Sequence, residues 1–251
     1  MASGLGPKLS GVRRTAGRLL GPLALAGVAV TVTLGLAVAP PDALQGQAQR
    51  LMYVHVPAAL TAYLCFALVL AASVAYLVRR DLRFARRARA AAELGVGMTA
   101  LALALGSLWG RPVWGVWWAW DPRIVSTVVL LLIYIGYLGV RGLSEDAHVN
   151  ARRAAVVGIL GFVQVPIVHF SVVWWRTLHQ PPTVLQPDLS PPIEGPMFAA
   201  LVSGWVTFTL LAAFVLMRRI RSLDAQAGPA TVPAPAGTTT PIQVVARKEP
   251  R

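Results

Sequence analysis

The chain has one cysteine, Cys65, and it lies inside an apolar run. A disulfide framework and a cysteine-based metal site within one chain are therefore excluded. Charge is scarce as well. Only 13% of residues are Asp, Glu, Lys or Arg, against ~25% in an ordinary soluble domain. Acidic residues are rarer still, ten against 23 Lys and Arg. Asp42, Asp121, Asp188 and Glu194 are scattered in sequence. They form no acid/base pair, and no activated nucleophile accompanies them, so enzymatic catalysis is not the reading. What remains is 56% hydrophobic over 251 residues, with mean hydropathy +0.61. That is the profile of a polytopic membrane protein.

Apolar runs fall at about 22–39, 56–78, 91–109, 124–140, 154–175 and 197–217. Each has about the ~17–25 residues that cross a bilayer as a helix. Only helices satisfy their own backbone in lipid among such segments, so the expected fold is all-α with six transmembrane helices. The first run follows Lys8, Arg13, Arg14 and Arg18 and mimics a signal peptide. It is long enough to span and reads as a retained first helix. The third run is the weakest, because Glu93 stands near its start, beside a basic loop where a carboxylate can reach the interface.

A net charge of +13 would suggest nucleic acid in a soluble protein. Here the cations sort by loop, and no nucleic acid is expected. With the N-terminus cytoplasmic, nineteen Lys and Arg fall on inner segments, and only Arg50, Arg111, Arg123 and Arg176 fall outside. The positive-inside rule then puts both termini in the cytoplasm. The expected division is a basic cytoplasmic N-terminus over 1–19, a six-helix membrane domain over 20–220 and a disordered cytoplasmic tail over 221–251. A strap with six prolines between Pro181 and Pro196 is expected to be extended and semi-rigid.

Five of the eight tryptophans lie in WGRPVWGVWWAWDPR, residues 109–123. Between two apolar runs, this stretch is expected to be an outward-facing loop or shallow amphipathic segment. An aromatic belt explains one or two Trp per helix end. It does not explain Trp109, Trp114, Trp117, Trp118 and Trp120 together, whereas a large flat ligand does, because indole gives broad stacking area at little entropic cost.

Three of the four histidines map to the same outer side. His55, in MYVHVPAA, stands at the mouth of the second span, where Pro57 suits the first helical turn. His169 is ~22 Å along the fifth span by helical rise. Pro166, one turn earlier, is expected to kink the helix and free a carbonyl. An ionisable group within a span is a functional candidate by default. Together His55 and His169 point to axial ligation of haem iron. The bland alternative for each is a neutral histidine bonded to a nearby carbonyl. His179 is an alternate ligand or an interfacial hydrogen-bond partner, and the inner-loop His148 receives no role.

Haem also carries two propionates, and arginine binds carboxylates bidentately. Arg111, Arg123 and Arg176 are the propionate candidates, with Arg50 a weaker one; lipid phosphate is the competing partner. Arg176 is seven residues beyond His169 and would share its helix face. Asp121 and Pro122 read as N-cap and first residue of the fourth span, a cap that would also position Arg123 and Trp120. Trp174 and Trp175 would close the other side of a pocket.

The Trp stretch resembles the WWD signature of haem-handling proteins. With MYVHVPAA, VHFSVVWWRTLHQ and six spans in about this length, residues 20–220 closely resemble the haem exporter C family of bacterial cytochrome c maturation. The resemblance implies a multi-pass protein of the bacterial inner membrane that binds haem b as transported ligand at the periplasmic face. His55 and His169 would be its axial ligands and the Trp loop its presenting surface. The implied partners are a membrane-anchored periplasmic haem chaperone, the membrane and ATPase subunits of an ABC transporter, and a small single-span membrane subunit.

Three other readings compete. A haem-translocating transporter subunit would need a polar path, and the spans offer only Glu93 and Gln164. A two-haem electron-transfer cytochrome of b type would want four paired histidines within spans. A larger haem lyase would need more spans and a further histidine pair.

Overall fold

The computed structural model describes residues 6–180, 193 and 195–228, with side chains from Leu19 onward. Its helices are α1 (Gly6–Thr33), α2 (Met52–Arg79), α3 (Leu82–Trp114), α4 (Pro122–Gly139), α5 (Ala147–Phe162), α6 (Gln164–Trp174) and α7 (Gly195–Gln226). A wider turn over Leu34–Val38 prolongs α1, and α5 and α6 form one broken span. Among the described residues, six helical segments are long and apolar enough to cross a membrane. The expected all-helical architecture is met. The proline strap over 181–192 and the tail beyond 228 lie outside the described residues.

Helix α2 is the hub, packed against α3, α5 and α7. Its apolar residues Ala62, Phe66 and Val69 meet Ala88, Ala91 and Ala92 of α3 and Leu130, Tyr134 and Tyr137 of α4. The small residues of α3 allow close approach, the usual solution where lipid removes the hydrophobic drive between helices. Phe66 and Tyr134 stack at 3.7 Å between centroids. At the α2–α7 crossing, a Cβ on Gly204 would stand 2.5 Å from the Tyr53 carbonyl oxygen, so this crossing admits only glycine without movement. Leu25, Leu68, Leu132, Leu160 and Val215 face outward, as lipid-facing residues do.

The helices alternate in direction, so the starts of α2, α4 and α7 and the ends of α3 and α6 share one end of the bundle. That end carries the Trp stretch. The opposite end carries most of the arginines, and much of it is helical where loop was expected. Only Arg80 and Asp81 separate α2 from α3. Asp81 caps α3 through the Arg83 N–H at 2.9 Å, and the Arg83 side chain beside it holds the Asp81 carboxyl down at about 2. Glu93 is tied between α3 and α7, accepting from Arg219 at 2.5 and 2.9 Å and from Arg89 at 2.9 Å. Arg86 reaches Asp224 at 2.5 Å, and α7 continues to Gln226, beyond the tail boundary expected at 221.

Pro166 breaks the fifth span as expected. The proline has no N–H to donate to Phe162, and the helix resets at Val163, whose N–H bonds Leu160 O at 3.2 Å. Gln164 then donates to Ser126 O on α4 at 3.0 Å.

Candidate functional site

The Trp stretch is only half a loop. Helix α3 runs through Pro112 to Trp114, so Trp109 and Trp114 project from a helix, while residues 115–121 form the loop. The helix stops at Gly115, whose φ of 79° is left-handed, a conformation glycine adopts without a Cβ penalty. Its N–H bonds Arg111 O at 3.1 Å, and the Arg111 guanidinium donates to Gly115 O at 3.0 Å. Arg111 is thus an exposed C-cap, turned away from any shared pocket.

Beneath this turn, a cavity of about 1150 Å³, counting its open mouth, is lined by His55, Trp109, Trp114, Arg123, His169 and His179 among others. A second lobe of about 680 Å³ shares His55, Arg123 and His179 and adds Trp117 and Trp118. The enclosed part of the larger lobe is about 300 Å³, the lower end of the roughly 300–1,000 Å³ that cofactor sites commonly occupy, and its mouth is open.

His55 Nδ1 lies 2.9 Å from Ala102 O of α3. A carbonyl can only accept, so Nδ1 carries the proton and the Nε2 lone pair is left for other use. Gly106 makes room for this ring; a Cβ there would stand 3.1 Å from His55 Cε1. The Trp109 edge meets the same imidazole at 5.7 Å and 78°, and Trp109 Nε1 donates to Gln45 at 2.9 Å.

His179 has the same construction by a different route. Its Nδ1 lies 3.3 Å from Asp121 Oδ1, and Trp114 meets its ring at 4.9 Å. His179 and His55 line the same two lobes. Burial lowers the His179 pKa; Asp121 opposes this and Arg123 adds to it, so the imidazole stays below its ordinary value. It is neutral near pH 7, the form that ligates a metal.

Asp121 is more than the expected N-cap. Besides the Arg123 N–H at 2.8 Å, it accepts from Thr177 Oγ1 at 2.5 Å and the Leu178 N–H at 2.7 Å. Burial pushes its carboxyl up, but these hydrogen bonds and His179 outweigh that and hold it below the usual value. Its role toward segment 177–179 has no signal in sequence, because the partners are over fifty residues away.

His169 lines the large cavity but not the second lobe. Its ring meets Tyr63 edge-on at 6.3 Å, and its carbonyl accepts from the Arg123 guanidinium at 2.9 Å. Arg123 and Tyr63 line both lobes, and the Arg123 Nε is buried without a partner. A buried cation with an unused donor on a cavity wall suits a carboxylate ligand. Tyr63, unremarked in sequence, therefore belongs to the site; it lies eight residues after His55 and so on the same helix face.

Other expected site residues stand apart. Arg50 donates to the Gly35 carbonyl at the end of α1 and to Gln47. Arg176 does not share a helix face with His169, because Trp175 is already extended at φ −127°, ψ 157°. Trp120 is 85% exposed, and Trp174 and Trp175 are exposed and line neither lobe.

Residues 8–227 match the family Heme exporter protein C. The chain is 37% identical over 205 residues to heme exporter protein C of Escherichia coli K12, covering 80% of this chain and 82% of that protein. It is 38% identical over 215 residues to the Bradyrhizobium diazoefficiens protein of that name, covering 81% of each. It is 35% identical over 214 residues to the Rhodobacter capsulatus one, covering 83% and 88%. A match over nearly all of the described helices, with this cavity beneath the Trp stretch, leads to one conclusion: the chain belongs to the heme exporter protein C family.

Proposed function

We propose that this protein binds haem b at the Trp end of its helix bundle and presents it to a membrane-anchored periplasmic haem chaperone during c-type cytochrome biogenesis. This is binding and transfer, not catalysis. The observation that carries the reading is the matched pair of imidazoles. His55 and His179 each commit Nδ1 to an oxygen, on Ala102 and Asp121, and line both lobes of one cavity. That leaves two Nε2 lone pairs for axial positions on iron. Haem supplies an iron with two open axial sites, a broad apolar face and two carboxylates. Trp109 and Trp114 give it aromatic walls, and Arg123 with Tyr63 receives a propionate. Trp117 and Trp118 line the second lobe and are partly exposed, and Trp120 packs on Trp118 beyond it; these would form the presenting surface.

The sequence alone favoured His169 as the second ligand, and His169 stays in the test because it lines the large cavity. We favour His179, because it lines both lobes with His55, whereas His169 lines only one. The excess of Lys and Arg at the opposite end supports a periplasmic Trp face and cytoplasmic termini in the bacterial inner membrane. The ABC transporter subunits and a small single-span subunit are the remaining proposed partners. Reception at the outer face is preferred to translocation, because Glu93 is ion-paired and Gln164 is bonded to Ser126.

The test is the optical spectrum of the purified chain from haem-replete cells. His55→Ala and His179→Ala should each abolish the low-spin bis-imidazole spectrum, while His169→Ala keeps it. Loss of the spectrum in His169→Ala but not His179→Ala reassigns the second ligand. A parent protein without haem, even with its partners co-expressed, sinks the proposal.

A further inference from the structure

Four donors converge on the Asp121 carboxylate, whose side chain is 1% exposed. Two come from the strap after α6, Thr177 Oγ1 and the Leu178 N–H, one is the His179 imidazole, and one is the Arg123 N–H at the start of α4. The carboxylate also ends the Trp loop, directly after Trp120. One buried side chain thus joins the segment carrying an imidazole, the helix carrying the cavity's buried cation, and the aromatic loop. An N-cap needs only the α4 end of this arrangement. Asp81 and Asp146 cap their helices through backbone N–H groups of the first turn, without reaching a distant histidine.

We infer that Asp121 is the positioning residue for haem iron: it holds the His179 imidazole with Nε2 toward the cavity and strengthens it as a donor. This deepens the proposed function and rests on His179 as a ligand. The physical cause is general. A ligating histidine whose Nδ1–H is shared with a carboxylate has its tautomer and ring orientation set and its ligand nitrogen made more basic. A more basic axial ligand favours the ferric state and lowers the reduction potential. His55 donates to a neutral carbonyl instead, so the two axial positions are unequal. The His179 side is electron-rich, and it is mounted on a short segment tethered by Asp121, whereas His55 is rigid within α2.

The experiment compares Asp121→Asn, Asp121→Ala and Thr177→Val in the full-length detergent-solubilised protein loaded with haem. Two readouts are taken: the midpoint potential and the rate of haem loss to an excess of apomyoglobin. Asp121→Asn keeps a capping oxygen but loses the carboxylate charge, and is expected to raise the potential clearly. Asp121→Ala is expected to lose haem roughly 10–100-fold faster, the usual scale for removing such a partner. Thr177→Val removes the hydroxyl's two hydrogen bonds, to Asp121 and from the His179 N–H, while leaving the carboxylate on the His179 imidazole, and should leave the potential unchanged. If Asp121→Asn shifts the potential no more than Thr177→Val, Asp121 is a structural clamp only and the inference fails. If His179→Ala retains the parent spectrum, the ligand assignment fails first, which separates the two ideas.

Discussion

His55 and Ala102 face each other across the α2–α3 contact, with Nδ1 and the carbonyl oxygen 2.9 Å apart. Helix α3 thereby supplies both the partner that fixes the His55 tautomer and, one turn later, the Gly106 gap into which the ring fits. The site is as much a property of α3 as of the helix that carries the histidine.

Gly106 is accordingly a sensitive position. Overpacking costs ~1–3 kcal/mol, roughly a five- to hundredfold loss if it falls on haem affinity. Gly106→Val should therefore bind haem far more weakly than the parent, with Gly106→Ala intermediate. Titration followed by tryptophan quenching measures this; equal affinities would remove the role given to the close approach of 3.1 Å.

Arg123 should be read out by the charge on the ligand. The parent is expected to bind haem dimethyl ester, which lacks carboxylates, about tenfold or more weakly than haem, in line with ~1.5–3 kcal/mol for a charged hydrogen bond. In Arg123→Gln that preference should largely vanish. Arg111→Gln should keep it, because Arg111 caps α3 instead.

The tryptophans should divide by position. Trp114→Ala removes a wall of the cavity and the edge contact to His179 at 4.9 Å, and should lose haem retention. Trp120→Ala, at an 85% exposed position, should keep the haem spectrum and slow only delivery to the proposed haem chaperone, measured as haem appearing on that protein over time.

Two glycines should respond in opposite ways. Gly204→Ala sets a methyl 2.5 Å from a backbone oxygen of α2, and should lower the thermal midpoint in detergent by the equivalent of ~1–3 kcal/mol. At Gly97 a Cβ meets nothing within 4 Å, so Gly97→Ala should be neutral or stabilising by ~0.5–1 kcal/mol, the helical cost of glycine.

The Glu93–Arg219 pair should matter modestly. Its side chains are 27% and 34% exposed, and ion pairs open to solvent contribute only ~0–1 kcal/mol. Arg219→Gln should lower the unfolding midpoint slightly, by an amount that shrinks in high salt, and should leave the haem spectrum unchanged.

What the sequence determined is the part set by solvent and by local chemistry. Six apolar runs of sufficient length had to become helices, since lipid offers no other partner for their backbones. Pro166 had to disturb the fifth span, and Asp121-Pro122 had to start the fourth. The kinship of the Trp stretch was legible because its residues are contiguous. Tertiary structure decided what depends on meetings between distant segments. It carried α3 on to Trp114 and split the tryptophans between cavity wall and surface. It kept Arg111 and Arg50 on helix ends and left Arg123 on the cavity wall with one buried donor unused. It also brought His179 to the cavity that His55 lines, 124 positions away in the chain, through a carboxylate that by itself reads as a cap. Helix periodicity sets a side chain's direction only along its own helix, and the His179 segment is not helical; its place follows from the hydrogen bonds of Asp121, which exist only once the bundle has closed.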